Sequence, residues 1–450
     1  MVKPLGAYMA TQNIWVSHLL RRAGFGATPK ELAYYTKLGY ERAVDELLDP
    51  QRIDNSPLEN LVSRQQFDFT QIEDLRRWWL YRMAFTKRPL EEKMTLFWHG
   101  HFATGDSKVK NTYAMYGQNL LLRKHALGNF QDLLMGVTRS PAMIVYLDNQ
   151  QNRRGQPNEN YAREVMELFT MGIGNYTEKD VKEAARAFTG WQTRQASFFF
   201  NSRQHDYGAK AVLGVQGDLN GDDVVRLLTA RPSTARFIAK KMINFFACDN
   251  PDPAFVEEIA SVYVKNRFKI RPMLKAIFMH PTFLSDESYH AKVKSPVELV
   301  IGTLKHLEIQ SLDADLPTMM SRMGQSIFNP PSVKGWDGGA QWISTDAMME
   351  RFNFAARATA QKFDEMHYYA SPSELVYKQN LRNAGQLVDY FLNLLVEGDV
   401  PVQCRKRLIA YVSTDLTGKT VSALSDDRTL DAKLRGLVHL IMTSPAYQLS

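Results

Sequence analysis

Residues 89–102, Pro-Leu-Glu-Glu-Lys-Met-Thr-Leu-Phe-Trp-His-Gly-His-Phe, carry the pattern on which the reading of the fold turns. Proline suits the first turn of a helix, because its fixed φ is already helical and its missing N–H would have had no partner there. Leu90, Met94, Phe97 and His101 then recur at i, i+4, i+7 and i+11, which is one face of a helix. Gly105 is expected to stop it.

The same punctuation continues on both sides. Upstream, Thr28-Pro29-Lys30-Glu31 is a capped helix start with Thr as N-cap, Pro at N1 and Glu at N3. Gly39 closes that helix, and Glu41 to Leu48 forms another, stopped by Pro50. Residues 51–66 read as a linker or loose helix, and Gln71 to Thr86 as a long one. Downstream, Thr112 to Gly136 is helical with a break at Gly128, and Asn149 to Asn158 is a polar loop. A helix is expected from Glu159 to Met171, stopped by Gly172 and Gly174, and another from Thr177 to Phe188. The helical pattern lapses at Gln192 to Leu213, which contains Phe198-Phe199-Phe200 and then a polar, Gly-bearing stretch. It returns at Asp222. Asn329 to Trp342, rich in Pro, Gly and Trp, is a loop. The fold class predicted is all-α, a multi-helix body with a small irregular or β-hairpin insertion. Four regions are expected, 1–65, 66–191, 192–221 and 222–450, packed as one compact unit.

Composition narrows the function classes. The chain has 450 residues, 44% hydrophobic and 23% charged, enough to bury a core without a metal or disulfide staple. Lys and Arg outnumber Asp and Glu by 55 to 48. The basic residues come in pairs such as Arg21-Arg22, Arg76-Arg77 and Lys240-Lys241. No long basic block is present, so no nucleic acid partner and no basic membrane-binding tail is expected. Two cysteines make neither a disulfide framework nor, alone, a zinc site, and Cys248 reads as a buried thiol. No signal peptide and no long apolar run is seen, which gives a cytoplasmic expectation with no transmembrane segment.

Three segments concentrate ionisable groups beside aromatic ones. In Trp98-His99-Gly100-His101, two histidines one residue apart can share a metal on extended backbone, but on a continuing helix they diverge by about 200°. In the 158–169 segment, Asn160, Glu164 and Glu167 share a face beside the apolar stripe of Tyr161, Val165, Leu168 and Phe169, and Arg163 is placed to pair with Glu167. Clustered carboxylates of this kind bind metals or act as general acids and bases, or else lie on a salt-bridged helix face. His205-Asp206, in a loop with Tyr207, Gly208 and Lys210, can orient a base or ligate a metal. Trp336 and Trp342, on the 330–342 loop, can stack on a sugar or pin the loop to the core. The zinc-protease, nucleotide-binding and nucleophile-elbow motifs are absent. The one Glu-x-x-His, Glu287 to His290, is not repeated as a di-iron bundle would need.

Taken in order, these motifs resemble the bacterial family catalogued as domain of unknown function 1800. The resemblance starts at His18 to Thr28 and runs through Trp98 to Phe102, Asn158 to Gly172, Ala185 to Trp191 and His205-Asp206. It continues through Lys294 to Glu298 and Pro330 to Trp342. It implies no established activity. It implies candidate polar positions at His99, His101, Asn160, Arg163, Glu164, Glu167, His205 and Asp206. Many members look exported, and their genes often sit beside a second uncharacterised family with sulfatase-like features, a potential partner.

Two functional expectations follow. The first is a metal-dependent, hydrolase-like enzyme. A divalent metal ion would sit on His99, His101 and Glu164, with Glu164, Glu167, Arg163, His205 and Asp206 as catalytic groups. Asn160, Trp336 and Trp342 would meet a small-molecule or glycan substrate. The second is a non-catalytic helical scaffold or partner-binding protein, in which the same residues form a buried structural network.

Overall fold

A computed structural model describes residues 5–310, 312–360, 370–379, 381, 383–414, 419 and 427–450. Among the described residues there are 23 α-helices and two small antiparallel sheets of two strands each. The fold is therefore helical with a small β insertion. No helix among the described residues is long and apolar enough to cross a membrane.

The helix starts follow the chemistry of their caps. Thr28 accepts from the Glu31 N–H while the Glu31 carboxylate accepts from the Thr28 N–H, and Pro29–Leu38 follows. Thr177 and Asp180 close a second reciprocal box ahead of Glu178–Ala187, and Ser295 and Glu298 a third ahead of Pro296–His306. Each box satisfies two of the four N–H groups that a helix start leaves without partners.

The insertion is two hairpins. Trp191–Arg194 pairs with Ser197–Phe200, and Lys210–Val212 with Val215–Gly217. The connecting pairs, Gln195-Ala196 and Leu213-Gly214, all have positive φ. Both turns thus adopt the twist that tight hairpins favour, though three of the four residues are not glycine.

Hydrophobic side chains form two clusters. One gathers the 16–48 segment, the helices between 122 and 188 and those between 224 and 278; the other gathers 75–84 with most of 297–447. The Pro89–His101 helix runs between them and exposes almost nothing: twelve of its residues are buried. Leu90, Met94, Phe97 and Trp98 belong to the first cluster and Leu96 to the second. Divergence on this one helix sends His101 toward the first cluster and His99 toward the second.

Two sets of buried charges brace this central helix. Glu92, fully buried, accepts from Arg123 Nε and Nη2 at 2.6 and 2.9 Å, from Arg82 Nε at 3.3 Å and from Trp79 Nε1 at 3.0 Å. On another face of the same turn, the adjacent Lys93 pairs with Glu298. Beside that pair, Arg22 donates to the carbonyls of Ala247 and Ser288, both at 2.7 Å, and Arg21 pairs with Glu397. Charges removed from water need such partners.

Candidate functional site

The helix that carries the acidic candidates is shorter than its sequence suggests. It spans Asn160–Glu167, not 159–171. The N–H groups of Leu168 and Phe169 both turn back to Glu164 O, and those of Met171 and Gly172 to Met166 O. Thr170 Oγ1 takes Val165 O at 2.5 Å. Gly172 and Gly174, both at positive φ, then lead the chain away. Because the helix stops early, the carbonyls of Leu168 and Phe169 lie at its open end, where helix acceptors seek outside donors.

Two donors meet them. His101 Nε2 lies 3.0 Å from Phe169 O, which fixes the proton on Nε2 and leaves Nδ1 as an acceptor. Lys241, on the Pro232–Phe246 helix, reaches Nδ1 at 3.3 Å and Leu168 O at 3.5 Å. Its ammonium also lies 5.0 Å from the centre of the Phe237 ring. Lys241 is half-buried and has no carboxylate partner among the described residues. Burial, with Lys334 as a neighbouring cation, lowers its pKa to about 8. His101 is buried, stacked parallel to Phe97, and held well below the usual imidazole range by burial and by Lys241.

His99 belongs to a different environment. Its Nε2 accepts from the Phe328 N–H at 3.0 Å, its ring stands edge-on to Trp79 at 5.1 Å, and Trp336 lies 5.6 Å away. Burial alone lowers its pKa to about 3. The 330–342 loop reaches this point because Gly335, at φ +86°, presses against Gly100: a Cβ there would stand 2.3 Å from Gly100 O. Trp336 covers Gly100. Trp342 packs inside its own loop, over Gly338 and Gly324.

The shared metal site is a correction to the sequence expectation. His99 and His101 do not converge, since the helix continues through both and turns their rings to different clusters. One His99 nitrogen is occupied by a backbone N–H, and the free nitrogen of His101 faces an ammonium that would repel a cation. Among the described residues no group of three or more His, Cys, Asp or Glu could hold a metal ion. The residues present thus do not fit the divalent ion expected for them.

The acidic face differs from expectation as well. Arg163 does not pair with Glu167. Its planar fork takes both oxygens of Glu178, at 2.7 and 2.8 Å, and Glu159 at 3.3 Å. Glu178 opens the next helix and offers the bidentate geometry that guanidinium prefers. Glu167 is bonded instead by the Tyr176 hydroxyl. Glu164 is half-buried, and burial, then Glu167, raises its pKa. Tyr146 is raised too, by burial and then by Glu164. Asn160 Nδ2 lies 3.5 Å from Asp148, which pairs with Lys108 at 2.7 Å.

His205 and Asp206 do not join either group. Buried His205 has Nδ1 2.8 Å from Thr189 O and lies between the Phe200 and Tyr207 rings. Asp206 is held by Arg186 Nε at 2.9 Å and Nη2 at 3.2 Å. The pair ties the hairpin to the end of the Glu178–Ala187 helix.

Sequence reasoning passed over Lys241, noting it only as half of the basic pair Lys240-Lys241. The signal was there: Phe237 and Lys241 are one turn apart, so the lysine interrupts an apolar face. Tyr146 and Lys334 carried no comparable mark.

Fold and site together define a helical protein with three buried histidines tied to backbone and, where four chain segments meet, a lysine without a carboxylate partner among the described residues. The chain belongs to the family described as protein of unknown function (DUF1800), whose profile matches residues 18–449. No curated protein and no solved structure gives a significant match to it.

Proposed function

We propose that the protein is a hydrolase-like enzyme whose working group is Lys241, acting on an anionic substrate. One observation carries the reading: the Lys241 amine is half-buried, without a carboxylate partner among the described residues, and hydrogen-bonded to a neutral imidazole at the junction of the last turn of the Pro89–His101 helix, the end of the Asn160–Glu167 helix, the Pro232–Phe246 helix and the 330–342 loop. With a pKa of about 8, a useful fraction of this amine is unprotonated near neutrality and can accept a proton from water. His101 Nδ1 and Leu168 O hold the amine in place. The protonated fraction of Lys241, together with Lys334, which itself pairs with Asp337, favours a negatively charged group beside them. Glu164, one helical turn before Leu168 on the same face, has its carboxyl pKa raised by burial and then by Glu167 and is assigned the role of the acid. Asn160 and Trp336 are the substrate contacts of this reading, and no step in it runs through a metal.

A panel of chromogenic carboxylic, phosphate and sulfate esters, assayed with wild type and Lys241→Met, tests it. Turnover in wild type that rises through about pH 8 and disappears in a folded Lys241→Met protein supports the proposal. Absence of turnover across the panel, or full activity in the variant, rejects it.

A second reading has its own observation. His99, His101 and His205 each bond to a main-chain group (Phe328 N, Phe169 O and Thr189 O), as residues that fix the register of packed segments do. On that reading the protein is a non-catalytic scaffold for a partner, of which the product of a neighbouring sulfatase-like gene is the candidate.

A further inference from the structure

A separate cavity of about 580 Å³ lies beside the first hairpin, where the 149–158 loop meets Gln192 and Gln204. That is within the usual size of small-molecule sites, roughly 300–1,000 Å³. Its lining is chemically uniform. Gln150, Gln151, Gln156, Asn158, Gln192 and Gln204 all contribute carboxamides, and no carboxylate among the described residues lines it. The one charge, Arg153, directs both Nε and Nη2 at the Gln156 amide oxygen, at 3.1 and 2.6 Å. That bond leaves the Gln156 NH2 pointing away from the arginine.

The frame around this cavity is fixed before any ligand arrives. Asn152, fully buried, donates to Ala185 O at 2.8 Å and to Asn149 Oδ1 at 3.2 Å, and accepts from the Asn158 N–H at 2.9 Å. Arg154 N–H donates to Gln204 O at 2.8 Å. Gln192 donates to Gln204 Oε1 at 2.5 Å and accepts from Asn201 at 3.3 Å. Groups already oriented lose little freedom on binding.

Beside the amides stands an exposed aromatic ring. Phe199 is directly opposite Gln192 in the hairpin register, so both side chains project from the same face, and Phe199 is 40% exposed. A carboxamide presents a donor and an acceptor in one plane, which matches two neighbouring hydroxyls. An aromatic face beside them matches the C–H face of a pyranose ring.

We infer that this cavity binds a neutral saccharide, with the carboxamides on its hydroxyls and Phe199 against its apolar face. The absence of a lining carboxylate, and the engagement of Arg153 by Gln156, leave the site without a dedicated partner for an anionic or cationic sugar. The inference is independent of the acid–base reading above and uses none of its residues.

The test is saturation-transfer NMR and calorimetry on the full chain with cello-, malto-, xylo-, manno-, laminari- and chito-hexaose, and with hexagalacturonate as the acidic control. Two variants accompany wild type: Phe199→Ala, and the double variant Gln150→Ala/Gln151→Ala at exposed positions where folding is not at stake. Binding of at least one neutral hexaose, weakened about tenfold or more in each variant with unchanged melting curves, is the expected result. The inference is overturned if no neutral hexaose binds at up to about 10 mM. It is equally overturned if binding survives both variants, or if hexagalacturonate binds more tightly than every neutral ligand.

Discussion

Lys241 and His101 share one hydrogen bond, Nζ to Nδ1 at 3.3 Å, and neither side chain has a carboxylate partner among the described residues. The imidazole is neutral, so the ammonium is solvated by two lone pairs and a ring face but not neutralised. An arrangement that lowers stability in this way persists where function uses it.

The first prediction concerns that lysine. Its folded pKa, about 8, lies below the unfolded value of 10.5. Between these limits the unfolded chain holds a proton that the folded chain lacks, so stability contributed by this group rises with pH across the window. Below pH 8 both states are charged and the fold bears the full penalty. Lys241→Met should therefore be more stable than wild type near pH 7, by about 1–2 kcal/mol after the lost bond to His101. The difference should shrink toward pH 10. Urea melts across that range measure it, and a variant that is less stable at every pH argues against the unpaired cation.

Glu92 gives the opposite case. Glu92→Gln leaves Arg123 in the interior without its counter-charge, while Arg82 keeps Glu59 at 2.7 and 2.9 Å, and should cost about 3–5 kcal/mol. The carboxylate is held below its usual range, with Arg123 the largest of the causes that overcome burial. Its contribution is thus complete above the ordinary carboxylate value and declines as pH falls through the folded one. Thermal melts at falling pH should show wild type converging on the variant.

Gly335→Ala tests the docking of the 330–342 loop. The added methyl would meet Gly100 O, and the backbone sits at a φ that alanine adopts with strain. The loop should lift, taking Trp336 off His99. Amide exchange across 328–342, including the Phe328 N–H bonded to His99, should accelerate well beyond that of wild type. Unchanged exchange would mean that the contact does not hold the loop.

Metal removal should do little. Each candidate histidine is engaged by protein groups, so dialysis against a chelator is expected to leave the melting temperature unchanged. His99→Ala and His101→Ala should each destabilise, by about 1–3 kcal/mol, through lost packing and an unpaired backbone group. Stoichiometric metal in the purified protein, lost from both variants, would reverse this conclusion.

How legible these features were differs from residue to residue. The helices with caps at Thr28, Thr177 and Ser295 were open to reading because local chemistry sets them. The insertion beyond Gln192 was open to reading as a small irregular or β-hairpin segment, but the turn at Gln195-Ala196 was not, because it lacks the Asn-Gly type of signal and depends on Trp191 and Phe198 packing against the body. Early termination at Glu167 was hidden too: Thr170 and Met166 decide it through bonds that periodicity does not register. The site was visible as three motifs, yet two of them turned out to be held by backbone partners. His101 meets the end of the acidic helix directly, at Phe169 O, and Lys241, about seventy residues beyond that helix, bonds to both; only packing brings it there.

The most direct test of the central claim is the pH dependence of ester turnover by wild type, Lys241→Arg and Lys241→Met on the carboxylic, phosphate and sulfate ester panel. The account predicts a wild-type rate that climbs through about pH 8, and loss of turnover in both variants, because arginine keeps the charge but cannot release its proton. A Lys241→Arg protein that retains the wild-type rate and pH profile would contradict the account and reduce Lys241 to a fixed charge.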